Sequence, residues 1–349
     1  MGLKCFLCTE FYVHLLHKRN NTVIGMQRFE EYVKIAAKAI SEIDYPAAPA
    51  GLYQPIAYTM SLGGKRLRPV LTLMACDAFG GDCRKAVNQA VGIEIYHNFT
   101  LLHDDVMDRA EVRRGKPTVH ARWNVNTAIL SGDAMLTMAG RYIARADTGH
   151  IAAAMELFNA TAMEVYEGQQ YDMDFESRLD VTAEEYIEMI RLKTSVLLGC
   201  ACKMGALMAD APAEATDAIY SFGMWLGLAF QLQDDILDVY GDTAVFGKAI
   251  GGDIMNNKKT FLLITALNRS RGADRDELLG WINAQDPDCE AKIAAVTAIY
   301  NRTGAREVAR QAMNEYNGRA LDTLGKIAMP EEARQAFGDF AGRLMNRTH

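Results

Sequence analysis

An apolar periodicity close to 3.6 residues runs through almost the whole chain from residue 27 onward. It restricts the possible folds more than any other feature. In the first segment it appears as five residues spaced three and four apart: Phe29, Val33, Ala36, Ile40 and Ile43. This spacing places apolar side chains on one face of a helix. The sequence shows no β-branched runs with the alternation that strands leave. We therefore predict an all-α fold.

The same pattern predicts helices as far as the C-terminus. They cover residues 70–79, 85–107, 127–146, 151–175, 183–208, 213–240, 259–267, 305–328 and 331–345. No Pro/Ser-rich linker interrupts them, and the chain has only 8 Pro. We predict one domain over residues 26–349, preceded by an extension of residues 1–25 without stable structure.

Composition excludes several classes of protein. Half of the residues are apolar, which can offset the entropy of ordering and argues against disorder. The net charge of −7 argues against a nucleic-acid partner. No run of eighteen uncharged apolar residues is present, so no transmembrane segment is expected. The 7 Cys are irregularly spaced, which predicts reduced thiols and a cytoplasmic location.

Two acidic motifs each close a long apolar helix, Asp104-Asp105-x-x-Asp108 and Asp234-Asp235-x-x-Asp238. Their first and last Asp lie one turn apart on the same helix face, where like charges cost a few tenths of a kcal/mol. The helix dipole also disfavours anions near a carboxyl end. A solvated acidic face is the alternative for one such motif, but it explains two less well. Carboxylate oxygens suit Mg²⁺, which would remove the penalty.

Basic residues surround both motifs in the sequence. They are Lys65, Arg68, Arg113, Arg114, Lys193, Lys248, Lys258 and Lys259. Each alone is an ordinary surface charge. Together with bound metal they supply the point charges and forked donors that a pyrophosphate needs. Such a site can neutralise pyrophosphate as it leaves a carbon atom, and the apolar helices would shield the resulting cation from water.

These motifs, in this order, resemble those of the trans-isoprenyl diphosphate synthases, the polyprenyl synthetase family, over about residues 30 to 345. The matching segments are 63–69 (GGKRLRP), the region from Asp104 to Gly115, Lys193-Thr194, 230–235 (FQLQDD) and 247–258. The resemblance implies an isoprenoid-synthase-type helical bundle around a central apolar cavity. It also implies an enzyme, a Mg²⁺-dependent prenyltransferase that condenses isopentenyl diphosphate with an allylic diphosphate.

The resemblance also implies roles for particular residues. Three Mg²⁺ ions would be bound by Asp104 and Asp108, with Asp105 supporting, and by Asp234, with Asp235 and Asp238 acting through water. The allylic diphosphate would be held by Arg113, Lys193 and Lys248, with Thr194, Gln231 and Lys258 nearby. The diphosphate of isopentenyl diphosphate would be held by Gly64, Lys65, Arg68, His97 and Arg114. Gln169, Gln170, Asp172 and Asp174 match a family segment and are ranked as supporting residues, with plain helix polarity as an equal explanation.

Product length depends in this family on residues just before the first acidic motif. Phe99 has the position of an aromatic residue in geranylgeranyl diphosphate synthases, while Thr100 is small and lies one turn behind Asp104. Farnesyl synthases usually carry a second aromatic at the Thr100 position or a two-residue insertion in the motif, and neither occurs here. We therefore expect a twenty-carbon product, with fifteen carbons as the alternative. Tyr96 is a further candidate for the cavity floor.

Other interpretations fit less well. Terpene cyclases share the first acidic motif but carry an Asn/Ser/Glu pattern in place of the second. A non-catalytic subunit of a heteromeric synthase would have degenerate motifs, and a divalent-ion scaffold would not need the basic residues. Glu94-x-x-His97 fits a di-iron motif, but the sequence has no second copy. Family members are generally homodimers, which makes a homodimer the expectation, with residues 133–142 as a candidate interface.

Overall fold

The computed structural model describes residues 28–147, 149–241 and 250–346, and this part of the chain is helical almost throughout. We number the helices α1 (28–41), α2 (Ala50–Ser61), α3 (Leu67–Ala78), α4 (Val87–Met107), α5 (Val119–Arg122), α6 (Val125–Ile143), α7 (Ile151–Glu176), α8 (Ala183–Ile190), α9 (Val196–Met208), α10 (Ala213–Tyr240), α11 (Gly252–Met255), α12 (Phe261–Arg269), α13 (Ala273–Asn283), α14 (Cys289–Thr303), α15 (Ala305–Lys326) and α16 (Glu331–Met345). A 3₁₀ turn covers Cys83–Ala86. The predicted all-α class is confirmed.

The long predicted helices agree with the structure, and the differences have physical causes. The helix predicted over 183–208 is interrupted by a π-helical turn, Arg191–Ser195. Helix α2 was not predicted because it contains Pro55, and α13 has no clear apolar stripe. The prediction also missed α14 and the antiparallel pair of two-residue strands β1 (Val112–Arg113) and β2 (Lys116–Pro117).

Two hydrophobic clusters form the core. The first cluster contains residues of α1, α2, α3, α4, α6, α7, α9 and α16 and of the amino-terminal half of α10. The second joins α8, α12, α14 and α15 to the other half of α10. Helix α10 therefore crosses both clusters, and its buried residues run from Thr216 to Val239. This burial fixes where the second acidic motif lies.

Within the described ranges, none of the helices has the length and apolar character needed to cross a bilayer. The predicted extension, residues 1–25, lies outside the described residues.

Candidate active site

The first acidic motif lies at the carboxyl end of α4, with Asp104 and Asp105 in the last turn and Asp108 directly after it. Arg113, on β1, donates from Nε to Asp105 Oδ1 at 2.7 Å, and its Nη2 lies 2.7 Å from the same oxygen in an ion pair. Burial raises the pKa of Asp104, and the Asp108 carboxylate adds to this while Lys193 opposes it. Burial also raises the pKa of Asp105, against the effect of Arg113. The motif is therefore a concentration of partly buried negative charge.

The second acidic motif lies near the carboxyl end of α10, and its three Asp have different surroundings. Asp235 is buried, and its carboxylate accepts hydrogen bonds from the Tyr186 hydroxyl and from Gln231 Nε2. Burial, with the Asp253 carboxylate adding to it, raises the pKa of Asp235 to about 8. Asp238 Oδ2 accepts the backbone N–H of Asp253 at 3.0 Å, so this carboxylate also fastens the start of α11. Asp234 is partly exposed.

Asp172, on α7, contacts two of the predicted diphosphate ligands. Its Oδ2 lies 2.6 Å from Lys193 Nζ and 3.8 Å from Lys258 Nζ. Burial works to raise the pKa of Asp172, but Lys258 and Lys193 hold it below its usual value. The structure thus brings Lys193 and Lys258 together from distant parts of the chain. The sequence had ranked Asp172 only as a supporting residue.

Two glycines explain how Lys193 reaches this place. A Cβ on Gly168 of α7 would lie 2.3 Å from the backbone nitrogen of Lys193, and one on Gly227 of α10 would lie 2.6 Å from Ser195 Cα. The π-helical turn is therefore packed closely between two helix backbones. The turn also places the Thr194 hydroxyl 3.1 Å from Gln231 Oε1, which it donates to, and Gln231 in turn donates to Asp235.

Lys258 couples the two acidic motifs. Burial would lower the pKa of Lys258, but the Asp172, Asp253, Asp108 and Asp235 carboxylates together raise it. Asp108 belongs to the first motif and Asp235 to the second, so both motifs act on one ammonium group. The Asp234 carboxylate of the second motif also acts on the Arg68 guanidinium, where it opposes the effect of burial on the pKa. The ends of α4 and α10 therefore face a common space.

A second group of cations lies beside the first motif. Arg114 Nη1 donates to the carbonyl of Gly63, and a Cβ on Gly64 would lie 2.9 Å from the Arg114 guanidinium. The Tyr58 hydroxyl donates to the Pro117 carbonyl at 2.7 Å, which fastens the β1–β2 hairpin to α2. The segment 63–68 and the hairpin therefore form one unit.

This unit carries several positive charges close to one another. Arg68 Nε is buried and makes no hydrogen bond to the described residues. Burial lowers the pKa of Arg68 to about 10, and nearby Arg114 adds to the shift. The pKa of His97 lies well below its usual value, first because of burial and then because of Arg68, Arg114, Arg113 and Arg66. His97 is therefore neutral at pH 7, and the surrounding cations favour an anion.

Arg66 was missed by sequence reasoning. Its Nη1 lies 2.5 Å from Glu94 Oε1, and both side chains are almost fully buried. Glu94 also accepts from Asn98 Nδ2, so it is engaged with Arg66 and Asn98 rather than shared with His97 in a di-iron site. Glu94 is a charged residue within the apolar helix α4, and a buried charge requires a partner. This was the feature of the sequence that could have predicted a cation such as Arg66 beside it.

Aromatic rings form a wall behind the first motif. The Phe99 ring centroid lies 5.5 Å from that of Tyr96, 4.8 Å from His103 and 6.2 Å from Tyr166. Tyr96 also contacts Phe158. Thr100, whose hydroxyl donates to the His97 carbonyl, is partly exposed on the face of α4 that carries Asp104.

Among the other predicted residues, Lys65 and Gln170 are exposed, and Asp174 accepts a hydrogen bond from Gln170 Nε2. Lys248 lies outside the described residues.

Comparison with known proteins agrees with this arrangement. The model of the polyprenyl synthetase family matches residues 49–300. A short chain isoprenyl diphosphate synthase from Methanothermobacter thermautotrophicus is 36% identical, over 93% of this chain and 99% of that protein. A (2E,6E)-farnesyl diphosphate synthase from Mycobacterium tuberculosis is 34% identical, over 81% of this chain and 80% of that protein. The crystal structure of a geranylgeranyl pyrophosphate synthase superposes with a TM-score of 0.86 at 41% identity, covering 93% of this chain and 99% of that one.

The chain belongs to the polyprenyl synthetase family. It is an enzyme of the trans-prenyltransferase class, as the sequence predicted, and its fold is that of the helical polyprenyl synthases. The roles of individual residues remain predictions.

Proposed function

We propose that this chain is a Mg²⁺-dependent prenyltransferase that joins isopentenyl diphosphate to an allylic diphosphate and makes geranylgeranyl diphosphate. The observation that carries the proposal is that Lys193 and Lys258, from distant parts of the chain, meet at Asp172, while Arg113 is fixed on Asp105 of the first acidic motif. Two facing sets of carboxylates with lysines between them can hold metal ions and a diphosphate together. A metal store or a scaffold would not need the lysines.

The carboxylates fit Mg²⁺. Asp104, Asp108 and Asp234 offer hard oxygen ligands, and the raised pKa of Asp104 reflects negative charge that a cation would stabilise. In the described part of the chain no three His, Cys, Asp or Glu side chains form a ready metal cage. We propose that each ion completes its shell with water and phosphate oxygens, with three ions per site as the family resemblance implies. When bound, Mg²⁺ supplies Lewis-acid stabilisation of the leaving diphosphate.

The chain's own residues would bind and orient the allylic diphosphate. Lys193 and Lys258 lie on one side, where both contact Asp172, and the Thr194–Gln231–Asp235 hydrogen bonds fasten the turn that carries Lys193. Arg113, fixed by Asp105, lies on the other side. Fixed cations need little reorganisation as charge develops on the leaving group. The apolar helix faces behind them exclude water from the allylic cation.

Isopentenyl diphosphate would bind at the unit of segment 63–68 and the hairpin. Arg68 and Arg114 supply charge, and neutral His97 supplies a hydrogen-bonding ring nitrogen. The two diphosphates would then bind on different sides of the end of α4. The C–O bond to the allylic diphosphate would break, the double bond of isopentenyl diphosphate would attack the resulting cation, and the released pyrophosphate would take the proton that the new cation loses.

Gly64→Ala tests the second diphosphate site. Gly64 has φ +134, and the new Cβ would push the Arg114 guanidinium from its position 2.9 Å away. We expect KM for isopentenyl diphosphate to rise about tenfold, with a smaller change for the allylic substrate, because one charged contact is worth roughly 1.5–3 kcal/mol. Gly63→Ala is the matched control: Gly63 also has positive φ, +77, but its Cβ would meet nothing within 4 Å. Equal effects of the two variants would show that backbone strain, not Arg114, matters.

The aromatic wall supports a twenty-carbon product, with farnesyl diphosphate as the alternative. Phe99 and Tyr96 are almost fully buried, and together with Tyr166 they close the space behind Asp104. Thr100 leaves room above this wall. A chain that grows past Thr100 would be stopped at Phe99.

We also propose a homodimer. Val125, Ile129 and Leu130 at the start of α6 and Met163 on α7 are exposed, with 60% of Leu130 accessible. Clustered exposed apolar residues mark protein interfaces. Val125, Ile129 and Leu130 precede the predicted 133–142 segment on the same helix, so the interface would begin earlier than the sequence indicated. The mass in solution tests this, while the cytoplasmic location stays a prediction.

Product analysis tests the function directly. The purified chain is incubated with Mg²⁺, isopentenyl diphosphate and, in turn, dimethylallyl, geranyl or farnesyl diphosphate. We expect pyrophosphate release and geranylgeranyl diphosphate by mass spectrometry, with no turnover after chelation of the metal. A cyclic hydrocarbon would instead indicate a cyclase, and an inert protein that activates another synthase would indicate a non-catalytic subunit.

A further inference from the structure

Lys292, on α14, is a fully buried lysine that the proposed chemistry does not use. It is 2% exposed, and its Nζ donates to Asn257 Oδ1 at 2.8 Å and to the Met255 carbonyl at 3.3 Å. Both acceptors are uncharged. Burying an ammonium group on neutral acceptors costs stability, and a hydrophobic residue of similar volume would often be as stable or more so.

A second buried lysine holds the same asparagine. Lys259 Nζ donates to the Asn257 carbonyl at 3.2 Å and to the carbonyl of Glu176, the last residue of α7, at 3.1 Å. Asn257 Nδ2 donates to the Ile282 carbonyl of α13 at 3.0 Å. Three helices therefore fix one residue, which has the left-handed conformation with φ 52.

Lys258 follows Asn257 directly and points the other way, toward the site. Its backbone N–H donates to the Asp253 carbonyl at 2.9 Å, and its ammonium group lies 3.8 Å from Asp172 Oδ2. The side chain is 42% exposed, so its own packing does not fix its direction. The backbone on either side of Lys258 must therefore set where its charge lies.

We propose that Lys292 and Lys259 are positioning residues, which hold Asn257 in its left-handed conformation and thereby aim Lys258 at the allylic diphosphate. This rests on the proposed function. Small displacements of a charged group at a reacting centre cost large factors in rate, which explains how an arrangement unfavourable for folding can serve catalysis.

The test uses Lys292→Met, which keeps the length of the side chain and removes its charge and donors. We expect kcat/KM for the allylic substrate to fall about tenfold, with KM for isopentenyl diphosphate unchanged, because Arg68 and Arg114 lie on another segment. In a Lys258→Ala background Lys292→Met should have no further effect, because both substitutions remove the same interaction, that of Lys258 with the allylic diphosphate. Binding of inorganic pyrophosphate with Mg²⁺, measured by calorimetry, should weaken in parallel.

Arg302→Met on the same helix is the matched control. Arg302 is 47% exposed and joins α14 to α13 through Asp274 and Glu277, so this variant loosens the helix pair without touching Asn257. If Lys292→Met does not fold, Asn257→Gly removes the same side-chain acceptor; glycine permits the left-handed conformation but nothing then holds residue 257 in it, so this variant should give the same split.

Four results would overturn the inference. Two concern kcat/KM for the allylic substrate: a loss in Arg302→Met equal to that in Lys292→Met, or a loss in the Lys258→Ala/Lys292→Met double variant that is the sum of the two single losses. The others are an equal rise of both KM values in Lys292→Met, and Lys292→Met activity like that of the wild type. An inactive wild-type enzyme would instead refute the proposed function, and the positioning role would fall with it.

Discussion

Asp104→Asn and Asp234→Asn should each lower kcat by about a thousandfold, roughly 4 kcal/mol in the activation barrier. Each substitution keeps the shape of the side chain and removes a charged oxygen ligand from one of the two facing motifs. Steady-state release of pyrophosphate at saturating substrate measures the effect. A titration of Mg²⁺ should show that the residual activity requires more metal than the wild type.

The same Asp104 substitution should not destabilise the metal-free protein. Burial and the Asp108 carboxylate raise the pKa of Asp104, so the folded state disfavours its charge at pH 7. A neutral amide removes this cost, and we expect an equal or higher melting temperature. Asp322→Asn, at an exposed position of α15, should change neither quantity. Asp104→Asn activity within tenfold of the wild type would show that this carboxylate holds no essential metal.

Helical periodicity and the two acidic motifs were sufficient to predict the fold class and the long helices that carry the site. Helix α7 buries one face, whereas α4 and α10 are buried around most of their circumference over residues 89–96 and 226–229, so the apolar sequence of each helix reflects its packing. The breaks were not predictable in this way. The π-helical turn depends on Gly168 and Gly227, whose close contacts join residues far apart in the sequence.

The sequence also did not predict which charged residues pair with each other. Lys193 and Lys258 were both predicted as diphosphate ligands, but the bond of each to Asp172 depends on how α7 meets two other segments. The Arg66–Glu94 pair, the contact of Lys292 with Asn257 and the contact of Lys259 with Glu176 are equally non-local. A single sequence shows which residue types can do the chemistry, while tertiary packing decides which of them meet.

Phe99→Ala should lengthen the product from twenty carbons to twenty-five or more. The Phe99 ring packs against Tyr96, His103 and Tyr166, and removal of its six-carbon phenyl ring opens a space comparable with one five-carbon isoprene unit. The cavity also costs roughly 3–5 kcal/mol of stability, so products are analysed well below the melting temperature. Mass spectrometry of products formed from farnesyl diphosphate gives the distribution.

Two further variants separate the shape of the cavity from loss of stability. Phe222→Ala removes an equally buried ring that packs on Phe337, away from the aromatic wall, and it should destabilise the protein without changing the product. Thr100→Phe places a ring one turn behind Asp104 and should shorten the product to fifteen carbons. If Phe99→Ala keeps the wild-type distribution while Thr100→Phe shortens it, the chain passes Thr100 but ends elsewhere, and Tyr96 becomes the residue that limits its length.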